Sequence, residues 1–130
     1  SCANSIGQMA GIAALTGDQS CVEDFKTSFK ERRDLIVQLL QNISNVSCAT
    51  PGGAFYVFPD FSAYLGQTVN GKELKDTFDI SEYILGCASV VTVPGDGFGA
   101  PGHIRFSYAA GTEIIEKGVE LVKSSLEKIS

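Results

Sequence analysis

A chain of 130 residues, 44% hydrophobic and 19% charged, suits one ordinary globular domain with its own core and excludes a disordered tail. Lys+Arg 10 against Asp+Glu 15 leave a net charge of -5, with the basic residues scattered among acidic ones, which argues against a nucleic-acid partner. No apolar run approaches the roughly 20 residues a membrane helix needs, so no membrane contact is expected.

Cys2, Cys21, Cys48 and Cys87 lie far apart without a C-x-x-C pair, and His103 is the only histidine, so no metal site is expected. These cysteines are expected to be reduced and mostly buried, in a cytoplasmic protein. Asn42-Ile43-Ser44 and Asn45-Val46-Ser47 match the glycosylation sequon, a tripeptide loose enough to recur by chance, and no signal peptide precedes them. Residue 1 is not Met and the chain opens almost directly into a helix, which suggests a piece of a longer protein.

In chain order, Ser5 and Gln8 form an S-x-x-Q capping pattern, and Ile6, Met9, Ala10, Ala13 and Ala14 recur at helical spacing up to Gly17, a C′ candidate. The spacing then predicts a long helix from Val22 to Ile43, with Val22, Phe25, Phe29, Ile36, Leu39, Leu40 and Ile43 on one stripe. Val46 and Cys48, and then Ala54-Phe55-Tyr56-Val57-Phe58, read as two strands separated by Pro51-Gly52-Gly53. Ser62 to Thr77 lacks a period and is expected to be a loop.

Asp79 and Glu82 form a D-x-x-E pattern ahead of a short helix whose apolar face is Ile80, Tyr83, Ile84, Cys87 and Ala88. Val90 to Val93 reads as a strand stopped by Pro94, and a glycine-rich loop, Gly95 to Gly102, follows. His103 to Tyr108 alternates as a half-buried strand, with Arg105 and Ser107 opposite Ile104, Phe106 and Tyr108. Thr112 is expected to cap a final helix with the stripe Ile115, Val119, Val122, Leu126 and Ile129. The fold class is therefore α+β: a small, mainly antiparallel sheet with helices packed on it.

Gly97-Phe98-Gly99-Ala100-Pro101-Gly102 matches the dinucleotide fingerprint G-x-G-x-x-G letter for letter. That fingerprint needs a helix opening directly after the glycines, whereas here Pro101 and a strand follow, so the stretch reads as a turn joining two strands. A lone arginine on a strand is most often a solvated face residue. The sharper reading of Arg105 is a guanidinium on a rigid strand, beside a glycine loop, offering its fork of donors to a substrate carboxylate. His103, with no nucleophile at recognisable spacing, reads as a loop histidine. Phe55, Tyr56 and Phe58 read as core and sheet packing, with one ring lining a pocket as the alternative.

The stretches Asn4-Ser5-Ile6-Gly7-Gln8, Pro51-Gly52-Gly53-Ala54-Phe55-Tyr56-Val57-Phe58-Pro59, Val93-Pro94-Gly95-Asp96-Gly97-Phe98-Gly99 and Ile104-Arg105-Phe106-Ser107-Tyr108-Ala109 are weak singly. Their order and spacing, with Phe29-Lys30-Glu31-Arg32-Arg33-Asp34, resemble class I aminotransferases of the aspartate aminotransferase type, fold type I. The resemblance implies transfer of an amino group from an amino acid, aspartate or glutamate by expectation, to a 2-oxo acid through pyridoxal phosphate. It assigns Arg105 to the substrate α-carboxylate, and residues 1–130 to the C-terminal small domain that closes over substrate.

The family's Schiff-base lysine sits in an S-K-x-x-x-M-T-G-W-R-x-G stretch, and nothing like it occurs here. The resemblance thus implies that the large cofactor-binding domain is absent, that pyridoxal phosphate belongs to the full-length protein, and that this piece alone binds no cofactor and is inactive. Its implied partners are its own large domain and a second subunit of a homodimer. The competing reading is a stand-alone, non-catalytic binding or scaffold domain.

Overall fold

The computed structural model describes residues 2–129. Four helices, α1 (Ser5–Thr16), α2 (Ser20–Gln41), α3 (Thr77–Ala88) and α4 (Thr112–Leu126), accompany five short strands. The strands are β1 (Tyr56–Val57), β2 (Thr68–Val69), β3 (Lys72–Glu73), β4 (Val93–Pro94) and β5 (Ile104–Ser107). β1, β5 and β4 make an antiparallel sheet in that order, with β5 in the middle, while β2 and β3 form a separate hairpin. The α+β expectation holds: α2 packs on β1, and α4 packs against α2 and α3.

Periodicity explains the core. On β5, Ile104 and Phe106 point inward and are buried, and Tyr108 just beyond its end continues the alternation. Ile115, Val119, Val122 and Leu126 form the buried stripe of α4, and Ile80, Ile84 and Ala88 that of α3. Tyrosine hydroxyls staple this core to loops: Tyr64 donates to Ser44 O at 2.7 Å, Tyr83 to Ser125 O at 2.8 Å and Tyr108 to Ala54 O at 2.8 Å. A buried ring thus keeps its polar end satisfied.

Several sequence expectations need correction. The cap of α1 is Asn4, whose Oδ1 accepts from Gly7 N at 2.7 Å, and not Ser5. Gly17 ends that helix in an extended conformation, φ -79, not a left-handed one. None of α1 is buried: Ile6 is 82% and Leu15 83% exposed, and Val22 and Phe25 at the start of α2 are bare as well. Apolar side chains surround α1, so no single stripe faces the core, and the buried stripe of α2 begins only at its C-terminal half.

Val46 and Cys48 do not form a strand; that stretch makes only an isolated bridge, Ser47 to Asp60. The stretch read as a loop from Ser62 to Thr77 contains a 3-10 turn at Ser62–Tyr64 and the β2–β3 hairpin. Asn70 and Gly71, both at positive φ (51 and 79), make its two-residue turn, the combination such hairpins favour. The cap of α3 lies three residues earlier than expected: Asp76 Oδ1 accepts from Asp79 N at 2.9 Å, and Asp79 Oδ2 accepts from Lys75 N at 3.0 Å. Pro94 lies within β4 rather than after it, which an edge strand tolerates. Gly111, not Thr112, precedes α4 as its cap residue. Cys2, Cys21 and Cys87 are exposed and only Cys48 is buried, so the expectation of mostly buried thiols fails.

Candidate carboxylate-binding site

Because β5 alternates, the face opposite its buried residues carries Arg105. Val93 of β4 pairs with it in register, and Tyr56 of β1 pairs with Ser107 on the other side. A diagonal neighbour on the same sheet is within reach of long side chains. The Arg105 guanidinium carbon lies 5.2 Å from the Tyr56 ring centroid and 5.1 Å from that of Phe98. Two aromatic rings therefore hold one cation. Phe58 completes a cavity of about 210 Å³ lined by Tyr56, Phe58, Phe98 and Arg105.

The glycine-rich segment between β4 and β5 supplies Phe98. It is a 3-10 turn, Gly95–Phe98, followed by a strand, so it serves as the two-strand connection its sequence context indicates. Gly95 N–H donates to His103 O at 2.7 Å, and Ala100 N–H to Gly95 O at 3.0 Å. A Cβ on Gly95 would collide with the carbonyl oxygens of His103 and Ala100, so only glycine fits there. Phe98 then leans edge-on against Phe58, 6.4 Å between centroids. On the far side, the Tyr108 hydroxyl fixes Ala54, which stands at φ 65 just before β1.

The ion pairs of the described residues join Lys26 to Glu23, Lys30 and Arg33 to Asp34, and Lys72 to Asp79 and Glu82. The Arg105 side chain has neither an acidic partner nor a hydrogen bond among them; only its backbone pairs, in the sheet. A partly buried guanidinium so placed presents free donors toward the cavity, in the fork that matches a planar carboxylate. Asp96, in the same turn, is bonded by the hydroxyl and backbone N–H of Thr77, which together hold its carboxyl below the ordinary carboxylate value.

Of the residues singled out in the sequence, Arg105 sits at the cavity and His103 beside it. The His103 ring lies 5.2 Å from Phe58, with Nδ1 3.2 Å from Pro101 O, the place of a loop histidine. Phe55 and Tyr56 are exposed and Phe58 half-buried, so they do not form core; Tyr56 and Phe58 take the pocket-lining role instead. Phe98 and Asp96 were missed as site residues, although both stand in the loop flagged for its glycines. No group of three or more His, Cys, Asp or Glu able to hold a metal occurs among the described residues. No helix among them is long and apolar enough to cross a membrane.

In this α+β layer Arg105 is stacked against two rings with no acidic partner among the described residues, an arrangement whose chemistry suits a carboxylate. The family model of aminotransferases of class I and II matches residues 1–117, and the chain belongs to that family. It is 40% identical to an aspartate aminotransferase of Streptomyces avermitilis over 90% of this chain and 29% of the relative. It is 38% identical to a probable aspartate/prephenate aminotransferase of Aquifex aeolicus over 96% of this chain and 31% of the relative. The crystal structure of the aspartate aminotransferase from Rhizobium meliloti superposes with TM-score 0.95 at 36% identity, covering 100% of this chain and 33% of that one. An alanine aminotransferase from Pyrococcus furiosus gives TM-score 0.83 at 31% identity, covering 97% and 30%. The chain thus spans under a third of the length of these curated relatives.

Proposed function

We propose that residues 1–130 are the C-terminal small domain of an aspartate-type aminotransferase, and that Arg105 holds the α-carboxylate of its amino-acid and 2-oxo-acid substrates. The observation that carries this reading is the Arg105 guanidinium stacked between Tyr56 and Phe98 with no acidic partner among the described residues. An arginine that merely decorated a strand would lean into solvent or onto a neighbouring carboxylate. Here the rings hold it while its donors stay free.

Pyridoxal phosphate, which the family implies for the complete protein, supplies the electron sink for exchanging the amino group. The described residues do not themselves fit that group. The Arg105 cavity is lined by one cation and three aromatic rings, with no lysine. Lys72 is engaged by Asp79 at 2.8 Å and Glu82 at 2.9 Å. The contribution of this chain is positional: Arg105 orients the substrate, and the rings hold its guanidinium in place. Closure over substrate and pairing with a second subunit belong to the same proposal, as does cover for the bare apolar α1 by the rest of the protein.

A substrate panel on the full-length protein tests the reading. Aspartate, an aromatic amino acid and alanine are each offered with 2-oxoglutarate, and 2-oxo acid formation is followed. Transamination of at least one, strongest with aspartate, is expected. No transfer with any donor, with pyridoxal phosphate supplied, refutes the enzyme and leaves the scaffold reading.

A further inference from the structure

We propose that Thr77 and Asp96 form a positioning pair that holds the Phe98 ring against Arg105, so that the guanidinium meets a carboxylate in one fixed orientation. This rests on the reading of Arg105 as the carboxylate clamp and adds residues that touch neither substrate nor cofactor.

Three hydrogen bonds join the pair. Thr77 N–H donates to Asp96 Oδ2 at 3.0 Å, the Thr77 hydroxyl donates to the same oxygen, and Asp96 N–H donates to Thr77 Oγ1 at 3.3 Å. Thr77 is fully buried, at the first turn of a helix anchored in the core by Ile80 and Ile84. Asp96 is thereby tied to an immobile point, and its carboxylate also faces the positive end of α3.

Apart from its edge-on contact with Phe58 and the backbone bonds that close the turn, the Phe98 side chain is loosely held. It is 57% exposed, and Gly97, between it and Asp96, has open space where a Cβ would stand. The turn is closed through Asp96 as well, since Gly99 N–H donates to Asp96 O at 3.1 Å. Free of its tether, the turn leaves the ring able to swing off the guanidinium, and Arg105 regains rotamers that binding must then freeze. The cost falls on carboxylate affinity and not on the chemical step.

The test is made on the full-length protein with Thr77→Val, which keeps the shape and loses the hydroxyl, and Thr77→Ser, which restores it. KM for both substrates, kcat, calorimetric titration with maleate and the melting temperature are measured. Thr77→Val is expected to raise both KM values and the maleate Kd about tenfold with kcat within about twofold, and Thr77→Ser to recover the parent values. A lower melting temperature with unchanged KM and Kd overturns the proposal, since the pair is then only a helix cap. Should Thr77→Val fail to fold, Phe98→Leu leaves the pair intact and removes the ring. It must give the same rise, and unchanged KM and Kd there also overturn the proposal. Arg105→Lys in parallel separates the two readings: if it too leaves KM and Kd unchanged, the clamp itself fails; if only the Thr77 and Phe98 variants are silent, the clamp stands and the positioning pair falls.

Discussion

Replacing Arg105 by lysine keeps the charge and removes the fork. Arg105 touches two rings, at 5.2 and 5.1 Å, and presents donors with no competing partner among the described residues. A lysine ammonium cannot donate two parallel hydrogen bonds to one carboxylate and stacks poorly between planes. Hydrogen bonds to charged groups contribute about 1.5–3 kcal/mol each. Losing one of two, with weaker stacking, removes about 2–3 kcal/mol of binding, or about 30- to 150-fold in kcat/KM. The assay is steady-state transamination by the full-length variant with a dicarboxylate donor and a monocarboxylate donor. Every donor shares the α-carboxylate, so both must fall by similar factors. A variant as active as the parent, or one that loses only the dicarboxylate donor, refutes the assignment.

Two further outcomes follow from the same structure. Cys48 is buried and its thiol is pushed up to about 11, whereas Cys2, Cys21 and Cys87 are exposed. In this chain a thiol reagent near neutral pH should label the three exposed cysteines quickly and Cys48 only with unfolding; rapid labelling of Cys48 in the folded chain contradicts the packing. The Asp96 carboxyl is held low chiefly by its side-chain bond from Thr77. A depressed folded pKa contributes stability that is present above the ordinary carboxylate value and lost as pH falls through the folded one. Asp96→Asn should therefore flatten the acid limb of a melting-temperature profile, and an unchanged slope below about pH 4 counts against the Thr77–Asp96 bond.

Much of this fold is legible residue by residue. The α4 stripe and the β5 alternation stand out because polar and apolar positions differ sharply on their two faces, and both elements fall where that pattern puts them. The strand readings at 54–58 and 90–93 overlap β1 and β4, but two-residue strands leave no period that would fix their bounds. The Asn70-Gly71 hairpin did carry a signal, overlooked because its flanking strands are equally short. α1 forms where its spacing puts it and yet lies bare, since helical spacing reveals a helix while burial depends on what lies beside it. Arg105 was legible through strand alternation and the family resemblance. Of the rings that frame it, Tyr56 was legible only as one of three candidates for lining a pocket, and Phe98 was not, since it reaches Arg105 through a turn whose shape depends on Thr77.

β5, which bears the arginine, lies between two partners, so moving it breaks hydrogen-bond ladders on both sides. One ring stands on the edge strand β1, and the other on a loop. The site thus has a fixed coordinate and two adjustable ones. Substitutions in the walls can accumulate at small cost to folding, while the cation keeps its address.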